Sequence, residues 1–167
     1  MFVLGIDPGL SRCGFAVVEK LGRHTEAVAL GVIRTPPKDE IPRRLSLLQT
    51  EVRSLIQEFK PEAVAIERVF FQVNVKTAIG VAQSSGIVMA EAIANGSEVA
   101  EYTPNQIKEA VGGWGAADKK QMQKMVQTLL RLPSLPTPAD AADAAATALC
   151  HLAHMSMQKI ETASRNK

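Results

Sequence analysis

The sequence predicts an α/β fold: a five-stranded mixed sheet, with three antiparallel strands followed by β-α-β units, flanked by helices. Three observations carry this. The apolar runs FVLGID, CGFAVVEK and EAVALGVIRT are separated only by short polar turns, and strands joined so closely form an antiparallel meander. Further on, the short apolar runs AVAIE and SEVAEY are separated by a long helical segment. A crossover of that length pairs its strands in parallel and lays its helix on a face of the sheet.

The remaining elements follow in order. TPPKDEIP breaks the strand pattern, after which Ile41, Leu45, Leu48, Val52, Leu55 and Phe59 recur at three- and four-residue steps as one helical stripe. Lys60-Pro61 closes that helix. A second helix covers about Lys76 to Ala94 and stops at Asn95-Gly96, a typical left-handed exit. TPNQIKEAV starts a short helix with Thr103 as N-cap and Pro104 in the first position. GGWGAAD reads as a glycine loop and KKQMQKMVQTLLRL as an amphipathic helix. LPSLPTP then leads into an alanine-rich helix from about Ala139 to Met157. These elements make one domain over 1–157, with 158–167 expected as a flexible tail.

Composition sets broad limits. The chain has 167 residues, 46% of them hydrophobic and 22% charged, which suits a single soluble domain with a proper core. Its apolar stretches are too short for a membrane span, and no basic segment precedes an apolar run at the start, so neither a membrane nor a secretory route is expected. Cys13 and Cys150 lack metal-ligand spacing and read as reduced thiols in a cytoplasmic protein. The net charge of +2 names no partner by itself.

The carboxylates are more informative. Asp7 ends the first apolar strand and Glu67 the fourth. If those strands are parallel neighbours, the two ends lie roughly 5 Å apart, at the sheet edge where open α/β folds place ligands. Each acid alone could be a turn or strand-end residue, but both are carried to one edge. In TPADAADAAATAL, Thr137 is a plausible N-cap, Pro138 the first helical residue, and Asp140 an acid satisfying the helix start. Asp143 shares a face with Asp140, and the surrounding alanines allow that helix to lie close to a sheet. Four converging acids would repel one another and raise their own pKa values unless cations lay between them. Hard divalent ions such as Mg²⁺ take oxygen ligands, and a pair of them suits phosphodiester hydrolysis. With those acids set aside, the rest of the surface is moderately basic, which suits a phosphate backbone.

Candidate backbone binders are Lys108 in NQIKEA and Lys119 and Lys120 in AADKKQMQK; all three could equally be solvated surface residues. Phe70 and Phe71 follow Glu67 closely, with Gln72 and Asn74 beyond. Aromatics placed so could stack on exposed bases; Phe70 is the preferred stacker, and Phe71 a packing or auxiliary residue. Trp114 reads either as a DNA contact or as an exposed anchor. His151 and His154 lie on the helix of Asp140, but at 1.5 Å per residue His154 is about 21 Å away along the axis. They are expected as surface or interface residues outside the acid cluster.

GIDPGL, AIERVFF, TPNQIKEAVGGWGAADKKQMQKMV and ADAADAAA together resemble the RuvC family, the bacterial Holliday junction resolvases of the ribonuclease H-like fold. The resemblance spans about residues 1 to 156. It implies an Mg²⁺-dependent endodeoxyribonuclease that nicks four-way DNA junctions symmetrically in recombination and repair. By it, Asp7, Glu67, Asp140 and Asp143 are the metal-binding and catalytic acids, holding two ions per subunit, with Mn²⁺ able to substitute. Lys108 and Lys119 become catalytic and DNA-contacting residues, joined in binding DNA by Phe70, Phe71, Asn74 and Lys120. The resemblance also implies a homodimer in the bacterial cytoplasm that works with RuvA and RuvB in branch migration. Ser85 in AQSSG departs from the family's usual basic residue, and Arg68 and Val73 also differ from common choices. GID-x-G is similar too to the phosphate loop of actin-like and sugar-kinase ATPases, although those need two such domains. A junction-binding protein without metal or catalysis is the other alternative.

Overall fold

The computed structural model describes residues 1–22, 24–68 and 75–165, with side chains for all of these but 75–77 and 158–165. Five strands form one sheet in the order β3-β2-β1-β4-β5. β1 (Phe2–Asp7) pairs antiparallel with β2 (Arg12–Leu21), and β2 with β3 (His24–Arg34). β4 (Ala63–Glu67) lies parallel to β1, and β5 (Glu98–Tyr102) parallel to β4. The meander and the crossover strands therefore have the predicted senses. Val3, Leu4, Ile6, Val64, Ala65 and Ile66 are completely or almost completely buried, as suits central strands covered on both faces.

Helices α1 (Ile41–Phe59) and α2 (Val75–Ala94) cover one face. The inward stripe of α1 is Leu48, Val52 and Ile56, packed with Leu4, Ile6 and Ile66. Ile41, expected on that stripe, is instead exposed at the helix start. Between these helices, Arg53 donates from Nε and Nη2 to the two carboxylate oxygens of Glu91 at 2.9 and 2.8 Å, and Gln49 adds a third hydrogen bond at 2.6 Å. A two-pronged guanidinium contact fixes orientation as well as distance, so it sets how α1 and α2 lie together.

The other face carries α3 (Pro104–Gly112), α4 (Lys119–Leu129) and α5 (Ala139–Arg165). Thr103 caps α3 in a capping box with Gln106, with Pro104 following as predicted. α4 stops at Leu129, short of the predicted Leu132, and Arg131 takes φ 52°. The proline at 133 disfavours helical backbone in the residue before it. α5 begins at Ala139, and Pro138 rather than Thr137 supplies the first carbonyl, which accepts from the Ala141 N–H at 3.0 Å. The helix continues to Arg165 rather than ending near Met157, since no glycine or proline follows Ala139 to stop it. Among the described residues no helix is long and apolar enough to cross a membrane.

α5 lies unusually close to the sheet. A Cβ on Gly5 would stand 2.1 Å from the Ala144 carbonyl oxygen, and one on Gly14 would stand 2.1 Å from that of Asp140. The facing residues Ala141, Ala144, Ala145 and Ala148 are fully buried. Only these smallest residues allow backbone to rest on backbone, and Gly14 is the register partner of Asp7. Gly14→Ala is therefore expected to cost about 1–3 kcal/mol by overpacking. Gly86→Ala, where the added Cβ meets nothing within 4 Å, should be neutral or stabilising by up to about 1 kcal/mol because the position is helical. Urea unfolding of both variants checks this, and equal midpoints would refute the close-approach argument.

Candidate active site

The fold brings the four acids to one edge. β1 and β4 run parallel through the pair Ile6–Ile66, so Asp7 and Glu67 follow as neighbours at the ends of their strands. Asp140 and Asp143 enter from the first turns of α5, lowered onto Asp7 by the contact at Gly14. Two cations from other elements meet them. Arg12, the first residue of β2, donates to Asp140 Oδ2 from Nε at 3.1 Å and also from Nη2. Lys119 Nζ donates to Asp143 Oδ2 at 3.1 Å. Lys119 is held there because it is the first residue of α4, behind a capping box. In that box Gln121 N–H donates to Asp118 Oδ1 at 2.8 Å, and the Asp118 N–H returns a bond to Gln121 at 2.9 Å.

Charge is unevenly balanced across the cluster. Burial, reinforced by Glu67, Asp143 and Asp140, pushes the Asp7 carboxyl up to about 7. Glu67 is raised for the same first reason, burial, with Asp143 adding to it and Lys119 and Lys108 opposing. Asp140 goes the other way, held below the usual carboxylate range by its hydrogen bond from Arg12. Lys119 is held as an ammonium by Asp143, with Asp7 and Asp140 contributing. The strand-end pair is thus the part of the cluster short of positive charge.

A donor set made only of carboxylate oxygens, two of them already drawing side-chain cations, fits a hard divalent ion. Among the described residues no three metal-binding side chains converge closely enough to share one ion as they stand, and Asp140 and Asp143 are turned onto Arg12 and Lys119. A cavity of about 310 Å³ opens beside the cluster, lined by Glu67, Lys108, Lys119 and Asp143 over an apolar floor that includes Ile107 and Met122.

Lys108 and Lys119 line the cavity with Glu67 and Asp143, whereas Lys120 is exposed on α4 and does not. Phe70, Phe71 and Asn74, with Val73, lie outside the described residues. Arg68 is exposed, with Nη2 4.0 Å from Glu101. Ser85 is buried in α2, so that position faces the interior. Trp114 is 56% exposed in its glycine loop. His151 corrects the surface expectation. It is buried, its Nδ1 is 2.9 Å from the Tyr102 hydroxyl, and its Nε2 has no partner among the described residues. His154 is partly buried, with Nδ1 2.9 Å from the Cys150 carbonyl. Cys13 and Cys150 are unpaired and buried, and burial pushes both thiols up to about 12, which makes them inert. Sequence analysis assigned Arg12 no role. The pairing of Asp7 with Gly14 puts Arg12 at the same sheet edge, and that hairpin register was the available signal.

Comparison with known proteins agrees with this geometry. The family model for "Crossover junction endodeoxyribonuclease RuvC" matches residues 3–151. Crossover junction endodeoxyribonuclease RuvC of Syntrophomonas wolfei is 48% identical over 132 residues, covering 79% of this chain and 77% of that one. The RuvC of Salinispora arenicola is 52% identical over 133 residues, covering 79% and 76%. Among solved structures, Thermus thermophilus RuvC in complex with Holliday junction substrate superimposes with TM-score 0.90 at 34% identity, covering 95% of this chain and 96% of that one. The yeast mitochondrial Holliday junction resolvase shares the fold, with TM-score 0.68 at 14% identity over 94% of this chain and 81% of that one. The five-stranded sheet, its helical layers and these kinships assign the chain to the RuvC family of crossover junction endodeoxyribonucleases.

Proposed function

We propose that the chain resolves four-way DNA junctions by paired symmetrical nicks, through metal-dependent phosphodiester hydrolysis, in recombination and repair. The observation that carries this reading is the meeting of Asp7, Glu67, Asp140 and Asp143 from three elements at one sheet edge, in a chain matched by the RuvC family over residues 3–151. These acids are the proposed ligands of Mg²⁺, two ions per subunit, with Mn²⁺ able to substitute. When bound, such ions supply an activated water and stabilise the charge on the leaving oxygen.

The chain's own groups divide the remaining work. Asp7 and Glu67 sit on paired strand ends that cannot shift independently, so they fix the position of the reacting phosphate. Asp140 and Asp143 hold the side-chain cations Arg12 and Lys119, which would face the substrate's phosphates if the two acids were engaged as metal ligands. Lys119 and Lys108, on the cavity wall beside Glu67, are placed to stabilise charge on that phosphate. Lys120 contributes along the DNA backbone, while Phe70, Phe71 and Asn74, following Glu67 in sequence, act at unpaired bases near the crossover. A homodimer matches the two-fold symmetry of the junction, and RuvA and RuvB are the expected partners in the bacterial cytoplasm.

Asp7→Asn should retain junction binding and lose symmetrical nicking by on the order of 10²–10³-fold or more, the scale for removing one group that stabilises transition-state charge. A labelled four-way junction in Mg²⁺ measures both properties, and persistent nicking would remove Asp7 from the mechanism.

The raised Asp7 carboxyl makes a separate prediction. The folded chain keeps this proton up to about 7, whereas the ordinary value is 3.8. Folded protein thus binds more protons than unfolded protein between those values, and metal-free stability declines as pH rises through that window. At pH 8 without metal, Asp7→Asn should melt several degrees above the parent, since each tenfold change in proton affinity is worth about 1.4 kcal/mol. The gap should close near pH 4, and Mg²⁺ should raise the parent's melting temperature more than the variant's. Coincident melting curves at pH 8 would show that Asp7 carries no such penalty.

A further inference from the structure

We infer that Arg12 is a phosphate-binding residue, one that exchanges Asp140 for the DNA strand leaving the acid centre through a groove beside the β1–β2 turn. The inference rests on the proposed nuclease reading and adds a subsite to it. The groove holds about 550 Å³ and is lined from Gly9 and Ser11 past the start of α1 at Ile41 to Gly80 of α2, with Arg12 in its wall. Arg12 is therefore the point where groove and acid cluster meet.

Three features favour a phosphodiester there. First, both hydrogen bonds from Arg12 converge on one oxygen, Asp140 Oδ2, from Nε and Nη2, and its side chain remains 43% exposed. An exposed ion pair of this kind contributes little in water, so exchanging carboxylate for phosphate is energetically close to neutral. Second, a further guanidinium lines the groove without a carboxylate. Arg44 donates from Nε to Thr35 Oγ1 at 3.0 Å and from Nη2 to Ser11 Oγ at 2.5 Å, and none of the ion pairs among the described residues includes it. Those neutral hydroxyls orient Arg44 and leave its charge uncompensated. Third, no acid is among the groove's described lining residues, so both arginines line it among apolar, hydroxyl and amide groups. Planar guanidinium groups with parallel N–H donors match phosphate oxygens, and the apolar walls suit the sugar face of a strand.

The exchange also links the two sites. While Arg12 holds Asp140, that carboxylate is unavailable to an ion and that guanidinium is unavailable to DNA. A divalent ion taking Asp140 releases Arg12 toward the groove, and a phosphate taking Arg12 releases Asp140 toward the ion. Each ligand should favour the other to the same extent.

Arg12→Gln tests this in the full chain, using anisotropy of a labelled junction in Ca²⁺ across a salt series, with calorimetric titration of metal in the absence of DNA. The variant should bind the junction several-fold more weakly. The slope of log K against log salt should shrink by about 0.9, the change for one phosphate contact. Its DNA-free metal affinity should rise, because a competing cation has gone. Junctions carrying single methylphosphonates around the nick locate the contact: one position should weaken the parent and leave Arg12→Gln indifferent. Arg12→Lys should recover most of the salt slope. An unchanged salt slope, a gain in metal affinity alone, or a lack of coupling to any methylphosphonate would each overturn the inference and leave Arg12 as a resident counter-ion. A parent chain that neither binds nor nicks the junction would overturn the nuclease reading as well, whereas an active parent with a DNA-insensitive Arg12→Gln would overturn only this subsite.

Discussion

The approach of α5 to the sheet is the constraint on which the site depends. Asp140 and Asp143 lie near Asp7 only because Gly5 and Gly14 admit the helix backbone where any Cβ would intrude. That contact consists of glycine and alanine, which bury little apolar area per residue and so contribute little hydrophobic stabilisation. Larger side chains make up the difference elsewhere. On the opposite face Leu4, Ile6, Leu48, Val52, Ile56 and Ile66 are almost wholly excluded from water, and Arg53 with Glu91 fixes the two helices above them. Both helical layers have apolar cores, the second including Ile107, Val111, Val126 and Leu130, and the site lies where the alanines of α5 meet the glycines of the sheet.

Proximity has an electrostatic consequence. Asp140 and Asp143 each have a side-chain cation, but Asp7 and Glu67 have none in direct contact among the described residues. Burial and like charge hold the strand-end pair toward its protonated forms, and a divalent ion is the natural remedy for that imbalance. The edge that costs the fold stability is therefore also the edge best suited to a divalent ion.

Much of this was legible in the sequence, for reasons that vary by residue. Asp7 and Glu67 stood out because each ends an apolar run, and strand ends are governed by local pattern; β1 closes at Asp7 and β4 at Glu67 as read. Asp140 and Asp143 were visible through their helical spacing among alanines. What escaped depends on contacts across the chain. Arg12 acquires its role from α5, 128 positions away. His151 is buried, and the Tyr102 hydroxyl that reaches its ring comes from 49 positions earlier. Thr137 looked like a helix cap, yet α5 opens after Pro138, and the end of α4 yielded to the proline that follows. Local signals located strands and acids well; pairings between distant segments required the fold.

The placement of Lys119 ties these features together. A lysine at the start of a helix opposes the helix dipole at a cost of about 0.3–1 kcal/mol, and here the capping Asp118 and the carboxylate of Asp143 offset it. If a metal ion draws Asp143 away, the ammonium remains at the positive end of α4, facing a cavity shared with Glu67 and Lys108. Its attraction for an anion is then greater than before the ion arrived. In the proposed reaction, metal binding therefore strengthens the phosphate site through Lys119 on one side of the cluster, as it does through Arg12 on the other. The two cations belong to β2 and α4 and share no direct contact, so their common response comes from the two neighbouring acids of α5. That helix turn, carrying Asp140 and Asp143 three residues apart, therefore links the acid cluster to both cations.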